Sequence, residues 1–329
     1  MAWRGRTPRN PGRGSLPSAP RDPSVSTPKP QAPRPRRRGF SDRSLAWFFV
    51  GPSVLLLLAI NIFPLVWNIY LSFTNYAANR PGTPVRGMGT RNYERLLSQE
   101  DVWESLQHTA HFVTWSIALQ VLLGFGLAWL LSRKFRGSGL WTTLIVLPMM
   151  LSPAVVGTFW TYLFQPQIGI FNAIVGLFTG TTEFSMIANP NLAPWAIVLV
   201  DTWMWTPFIM LICLAGLNSV PRDLYEAAEI DGASSWRQFW TVTLPMVLPF
   251  LMLAVLFRGI ENFKMFDMVN ELTSGGPGSV TELANIYLKR EAFEKWRTGY
   301  AAALAVILFV TVFGFANIYV KVWNAVKQR

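Results

Sequence analysis

One cysteine, two histidines and a charged fraction of only 14% in 329 residues leave little material for self-contained chemistry. A lone Cys213 excludes an internal disulfide and any cysteine cluster for a metal; in an apolar stretch it reads as a small packing residue. His108 and His111 stand three apart with no third ligand in sight, so they read as interfacial packing rather than a metal site. No GxxxxGK[ST] is present to cradle nucleotide phosphates, and neither HExxH nor GxSxG occurs. No catalytic residue, metal or cofactor is therefore expected in this chain. A pathway or a partner-driven machine fits better than an enzyme.

What is abundant is apolar sequence. Hydrophobic residues make up 51% of the chain, whereas a soluble domain carries about 25% charged residues. Six runs are long and apolar enough for a hydrocarbon core of about 30 Å, which takes roughly 20 helical residues. They lie near 45–73, 108–131, 141–164, 194–217, 243–263 and 300–321. Backbone groups in lipid must be satisfied within the segment, and these runs are too long and too uniformly apolar for barrel strands. The expected fold is all-α, a polytopic membrane protein with six transmembrane helices over residues 44–329.

The formal net charge of +11 does not point to nucleic acid, because its location is a tail. Residues 1–43 hold eleven Lys and Arg against Asp22 and Asp42, in a Pro-, Ser- and Gly-rich setting that cannot bury enough apolar surface to order itself. This segment is expected to be a disordered cytoplasmic tail that holds the N-terminus inside and meets lipid headgroups. No cleavable signal is expected, since the first apolar run begins after residue 43. With the N-terminus inside, 19 of the 29 Lys and Arg fall on cytoplasmic pieces, which favours both termini in the cytoplasm.

One polar island interrupts the apolar pattern, the loop 218–241 with its core PRDLYEAAEIDGASSW. Pro221 suits a helix start, and Asp223 complements the helix dipole in the first turn. Leu224, Ala227 and Ala228 give a smooth face that another surface can approach closely. Gly232 can take the left-handed conformation that ends a helix, and Ser234 or Ser235 can cap the next one. An amphipathic helix lying on lipid would be rich in Lys and Arg, but here Arg222 and Arg237 face Asp223, Glu226, Glu229 and Asp231. A basic protein surface is the better partner.

The segment EAAEIDG, followed by Leu244 and Pro245, resembles the EAA signature of ABC-importer permease subunits. LTSGGP at 272–277, Ala292–Phe293, GYAAALAVIL at 299–308, FQPQIGIFN at 164–172 and LPMMLSPAVVGTFW at 147–160 resemble the carbohydrate branch of that family, the maltose and glycerol-phosphate permease type. The resemblance covers about residues 45–325. It implies a bacterial inner-membrane importer of a sugar, sugar alcohol or related polyol, with a second homologous permease, two cytosolic ATPase subunits that bind ATP and Mg, and an extracytoplasmic solute-binding protein. It further implies that Glu226, Ala227, Ala228, Asp231 and Gly232 couple to the ATPase, with Glu226 meeting a basic residue there. TSGGP would approach the docked binding protein or close over the cavity. A stand-alone secondary transporter is the alternative.

Ionisable groups within a membrane are functional candidates by default. Asp201 lies about 10 Å into the fourth span at 1.5 Å per residue, and Arg258 and Glu261 lie near the outer end of the antiparallel fifth. Asp201 and Arg258 could form a buried pair or line an aqueous cavity. Trp203 and Trp205 offer faces that stack on sugar rings, Asn262 offers an amide for hydroxyls, and Ser152 sits between Pro148 and Pro153, which can break the third helix. Interfacial belts and snorkelling charges are the competing reading for these residues. Because the tail carries topology rather than transport, deleting residues 1–40 should leave solute uptake close to that of the full chain; loss of uptake by a correctly inserted truncation would give the tail a mechanistic role.

Overall fold

A computed structural model of the chain describes residues 42–133, 135–180 and 185–327. Almost all of the basic tail lies outside the described residues. Helices in order are α1 (Asp42–Ser72), α2 (Arg91–Ser98), α3 (Glu100–Ser132), α4 (Ser138–Val146), α5 (Pro153–Leu163), α6 (Ile170–Thr179) and α7 (Ala193–Ser219). They continue with α8 (Arg222–Ile230), α9 (Ser235–Gln238), α10 (Leu244–Phe263), α11 (Asp267–Leu272), α12 (Ala284–Lys289) and α13 (Thr298–Lys327). No strand occurs among the described residues beyond one isolated bridge, Thr74 to Gly87.

The chain divides into two units, residues 1–57 and 58–329. The described part of the first is the start of α1, where Trp47, Phe48, Phe49 and Leu55 are all exposed. Everything below concerns the second unit.

Among the described residues of both units, five helices, α1 included, are long and apolar enough to cross a membrane, and a bent pair makes a sixth candidate. That pair is α4 and α5, which fill the third apolar run expected over 141–164 and part at the prolines expected to break it. It is bent by 98°. A 3-10 turn at Leu147–Met150 carries Pro148, Ser152 is extended (φ −66°, ψ 137°), and Pro153 opens α5 without an amide hydrogen to continue the ladder. Two prolines five residues apart account for the break.

Cross-helix contacts fix directions. Along α3 and α7 the levels match in the same order: His111 meets Trp195 edge to face (5.1 Å between ring centroids), Gln120 bonds to Asp201, and Gly124 meets Ile209, so the two helices run parallel. Gly216 faces Phe250, while Arg258 bonds to Asp201, so α10 runs antiparallel to both. Gly259 of α10 faces Phe315 of α13, and Tyr319 donates to the Met252 carbonyl at 2.9 Å, which sets α13 antiparallel to α10.

Small residues let these backbones approach, as membrane helices require when lipid offers no hydrophobic drive between them. A Cβ at Gly124 would stand 3.0 Å from both Ile209 Cβ and the Thr206 carbonyl oxygen. Buried Ala128, Ile209, Met210, Cys213, Val247 and Ala254 fill one apolar cluster near this crossing. Another forms around Phe112, Val156, Phe164, Met204 and Met268, with α11 packed on α5 over Gly157. Gly124→Val should cost about 1–3 kcal/mol by overpacking the α3–α7 crossing. Thermal denaturation of the purified protein in detergent should read that cost as a clear drop in midpoint, and a variant as stable as the parent would contradict so close a crossing.

Candidate functional site

Two polar features stand out, one inside the bundle and one at its end. Inside, Asp201 of α7 meets Arg258 of α10, and both are buried, at 0% and 1% exposure. Arg258 Nη2 donates to Asp201 Oδ1 at 3.1 Å and Oδ2 at 3.2 Å, while its Nε donates to Gln120 Oε1 at 3.0 Å. Gln120 of α3 in turn donates from Nε2 to Asp201 Oδ2 at 2.8 Å and to the Asp201 carbonyl at 3.2 Å. Asn262 donates to Asp201 Oδ2 at 3.2 Å and accepts from Arg258 Nη2. Trp205 closes the group, its ring centroid 4.5 Å from the guanidinium carbon.

The arrangement follows from cost. An ion far from water loses several kcal/mol of solvation, and only a close counter-ion with further hydrogen bonds offsets this. Four side chains from three helices supply the compensation. Of the sequence candidates, the structure brings Asp201, Arg258, Asn262 and Trp205 together, and the buried-pair alternative is the one observed. Gln120 escaped sequence reasoning; its signal was a lone amide within the apolar run SIALQVLLGF.

Three other candidates lie apart from this group. Glu261 is exposed and pairs with Lys264 at 2.7 Å. Ser152 is exposed at the α4–α5 break. Trp203 is 37% exposed, with its ring edge against Trp160 at 5.4 Å.

At the end of α7 the chain leaves the bundle through Pro221, which stands just outside α8 with extended backbone (φ −61°, ψ 136°). The helix closes in a Schellman arrangement: Ala233 N–H bonds to the Ala228 carbonyl (2.9 Å), Gly232 N–H to that of Glu229 (3.0 Å), and Gly232 takes φ +68°. Ser234 Oγ then caps α9 by accepting from Arg237 N–H. A hydrogen bond of 2.9 Å between Tyr225 and Thr243 ties α8 to the π turn Phe239–Thr243 that leads into α10.

Glu226, Ala227, Asp231 and Gly232 are exposed on this corner, and Ala228 is partly buried beneath. Two large apolar neighbours went unnoticed in the sequence: Ile230 is 86% exposed and Trp236 71%. Their apolar character was visible, but their side of the corner was not.

The TSGGP segment folds on itself between α11 and α12. Gly275 and Gly278 have positive φ, as does Ser274, and Thr281 Oγ1 donates to the Gly276 carbonyl at 2.7 Å. Just beyond it, burial pushes the Glu282 carboxyl above its ordinary range, against the pull of Arg290 at 2.8 Å.

Parallel α3 and α7, an antiparallel α10 and a capped polar elbow between α7 and α10 define a helical membrane-protein core of the multi-pass type. Residues 120–321 match the family described as binding-protein-dependent transport system inner membrane component. The chain belongs to this family. It is 31% identical over 283 residues to the trehalose/maltose transport system permease protein MalF of Thermococcus litoralis, covering 86% of this chain and 95% of that one. It is 32% identical over 288 residues to the trehalose transport system permease protein SugA of Mycobacterium tuberculosis, covering 87% and 90%. Its fold resembles a crystal structure of a bacterial alginate ABC transporter in complex with an alginate pentasaccharide-bound periplasmic protein, with a TM-score of 0.73, 18% identity, and coverage of 84% and 92%.

The chain is thus the multi-pass inner-membrane permease of an ABC importer, a transport component rather than an enzyme, and it works with an ATPase and a binding protein. The stand-alone secondary transporter is set aside. Arg258→Met should cost about 3–5 kcal/mol by leaving the Asp201 carboxylate buried without its partner. Adding Asp201→Leu should recover part of that loss in detergent melts, whereas a double variant less stable than Arg258→Met would speak against mutual compensation.

Proposed function

We propose that this permease imports a sugar, sugar alcohol or related polyol, and that the elbow 221–241 is where ATP-driven motion enters it. The exposed Schellman corner carries the coupling reading. It presents Glu226, Ala227, Asp231 and Gly232 outward on a short rigid helix, acidic on balance, with Ala228 at its base. A basic cleft on an ATPase subunit is the matching surface, and Ile230 would seat in its apolar floor. ATP and Mg belong to that partner.

The assembly we propose pairs this chain with a second homologous permease and two ATPase subunits. Closure of the ATPase pair on ATP would move both elbows and switch the paired permeases between inward-facing and outward-facing forms. We place both termini in the cytoplasm. The C-terminal end of α13 lies at the same end of the bundle as α8, and the sequence tally of Lys and Arg with the N-terminus inside supports the same orientation.

The sugar class rests on the relatives' named solutes and on the aromatic faces available along the bundle. Trp203, Ser152 and Glu261 are the exposed candidates for contact with solute. Asp201, Arg258, Asn262 and Trp205 would act from behind them by fixing the three helices that carry this surface.

Glu226→Lys and Gly232→Leu should each abolish ATP-dependent solute uptake, by at least tenfold, while membrane insertion is preserved. Co-purification of the ATPase subunit should fall in parallel. Normal uptake with both replaced would remove the elbow from the coupling path.

A further inference from the structure

Two recesses of opposite charge lie at the end of the helices remote from α8. The larger, with a cavity volume of about 690 Å³, is lined by Arg80, Arg95, Lys295, Arg297, Trp296 and Tyr76 among others. Its compensation is thin. Glu291, fully buried, takes Lys295 at 2.5 Å and Arg297 at 3.4 Å, while Arg80 and Arg95 form no ion pair among the described residues. Four cations thus stand against one carboxylate.

The second recess, about 340 Å³, has the reverse balance, with Asp101, Glu104 and Glu282 around a single Arg290. It is not a metal site, since no such group of ligands converges among the described residues. Between the two runs a wall of side chains: Tyr287 and Tyr300 both donate to Gln99 Oε1, and Arg290 lies over the Tyr287 ring at 5.0 Å.

The basic recess is preorganised. Asn92 donates to the carbonyls of Ser72 and Thr74 at 2.8 and 2.9 Å, and Gly299 N–H bonds to the Tyr76 carbonyl at 2.8 Å. At its rim Trp296 is 40% exposed with φ +57°, a left-handed conformation that a bulky side chain rarely takes. Hydrogen bonds on either side, Lys295 N–H to Arg290 and Arg297 N–H to Glu291, both 2.9 Å, hold it there. Backbone strain of this kind is kept where the surroundings fix it and clusters at ligand clamps. Arginine, tryptophan and tyrosine are also the residues that dominate protein–protein hot spots.

From this geometry we infer that the two recesses form a bipolar dock for the extracytoplasmic binding protein. An acidic protrusion of that protein seats in the basic recess against Trp296, and a basic one faces Asp101 and Glu104. Two opposite charges set apart by a wall select one orientation of the partner, because the reversed orientation places like charges together. The inference rests on the importer reading above and adds which residues receive the partner and with what charge.

The test uses the whole transport complex in lipid nanodiscs with the binding protein that supports its uptake, and reads the binding-protein concentration giving half-maximal stimulation of ATP hydrolysis. Arg80→Glu with Arg95→Glu should raise that concentration by about tenfold, leave the saturated rate unchanged and flatten its salt dependence, as expected for charges at an interface rim. Trp296→Gly, which relieves the backbone while removing the ring, should raise it as well. An unchanged half-maximal concentration in both variants, or a shift only in the solute concentration needed at saturating binding protein, overturns the dock. If the parent complex itself ignores the binding protein, the importer reading fails too; if only the variants behave like the parent, the dock alone falls.

Discussion

A carboxylate and a guanidinium enclosed where α3, α7 and α10 meet set the terms for the rest of this fold. Neither ion can be left unpaired at hydrocarbon depth, and neither can reach water from its position. Helices that carry them must therefore hold one register. Gln120 extends the constraint to the third helix, because it bonds to both ions at once. The glycines follow from the same demand. Gly124 lets α3 approach α7 and Gly216 makes room for Phe250 of α10, the helices the ion pair joins, while Gly259, beside Arg258, makes room for Phe315 of α13.

Under the coupling proposed above, a core fixed in this way would carry motion from the elbow as one body. α8 is bound back to the bundle by the Tyr225–Thr243 bond and by continuity through the π turn into α10. Displacing its exposed face would drag α10, and α10 carries Arg258. Force applied at the corner would then reach the ion pair along α10, a continuous helix of 20 residues. The polar island that interrupts the apolar sequence joins the two helices that carry the buried charges, α7 with Asp201 and α10 with Arg258.

How much of this the sequence carried depends on whether its physics was local. Apolar runs reveal helices because lipid leaves few alternatives, and the capping of α8 by Gly232 and of α9 by Ser234 was legible from residue type and spacing. Matching depths in antiparallel spans were enough to suggest that Asp201 and Arg258 could meet. Prolines 148 and 153 marked a break but not its 98° bend, which depends on how α5 lies against α11. Gln120 was missed because nothing local distinguishes an amide that faces α7 from one that faces another subunit. Short helices such as α2, α11 and α12 went unread for a similar reason. Their apolar residues, Leu96, Met268 and Ile286 among them, are buried by partners distant in sequence.

The placement of charge bears on what such a permease can pass. Asp201 and Arg258 cancel one another inside the bundle, so a solute moving along the outer surface of these helices meets no net charge from them. What that surface offers at nearby depth is aromatic, with Trp203 exposed and braced by Trp160. Uncompensated charge lies at the ends, acidic at α8 and divided between two recesses at the opposite end. Under the reading proposed above, those charges would serve protein partners, and solute would meet rings, polar groups and a Glu261 already paired with Lys264. A neutral polyhydroxylated solute, whose apolar ring faces stack on indole while its hydroxyls bond to amides and alcohols, is the kind of molecule to which that division is suited.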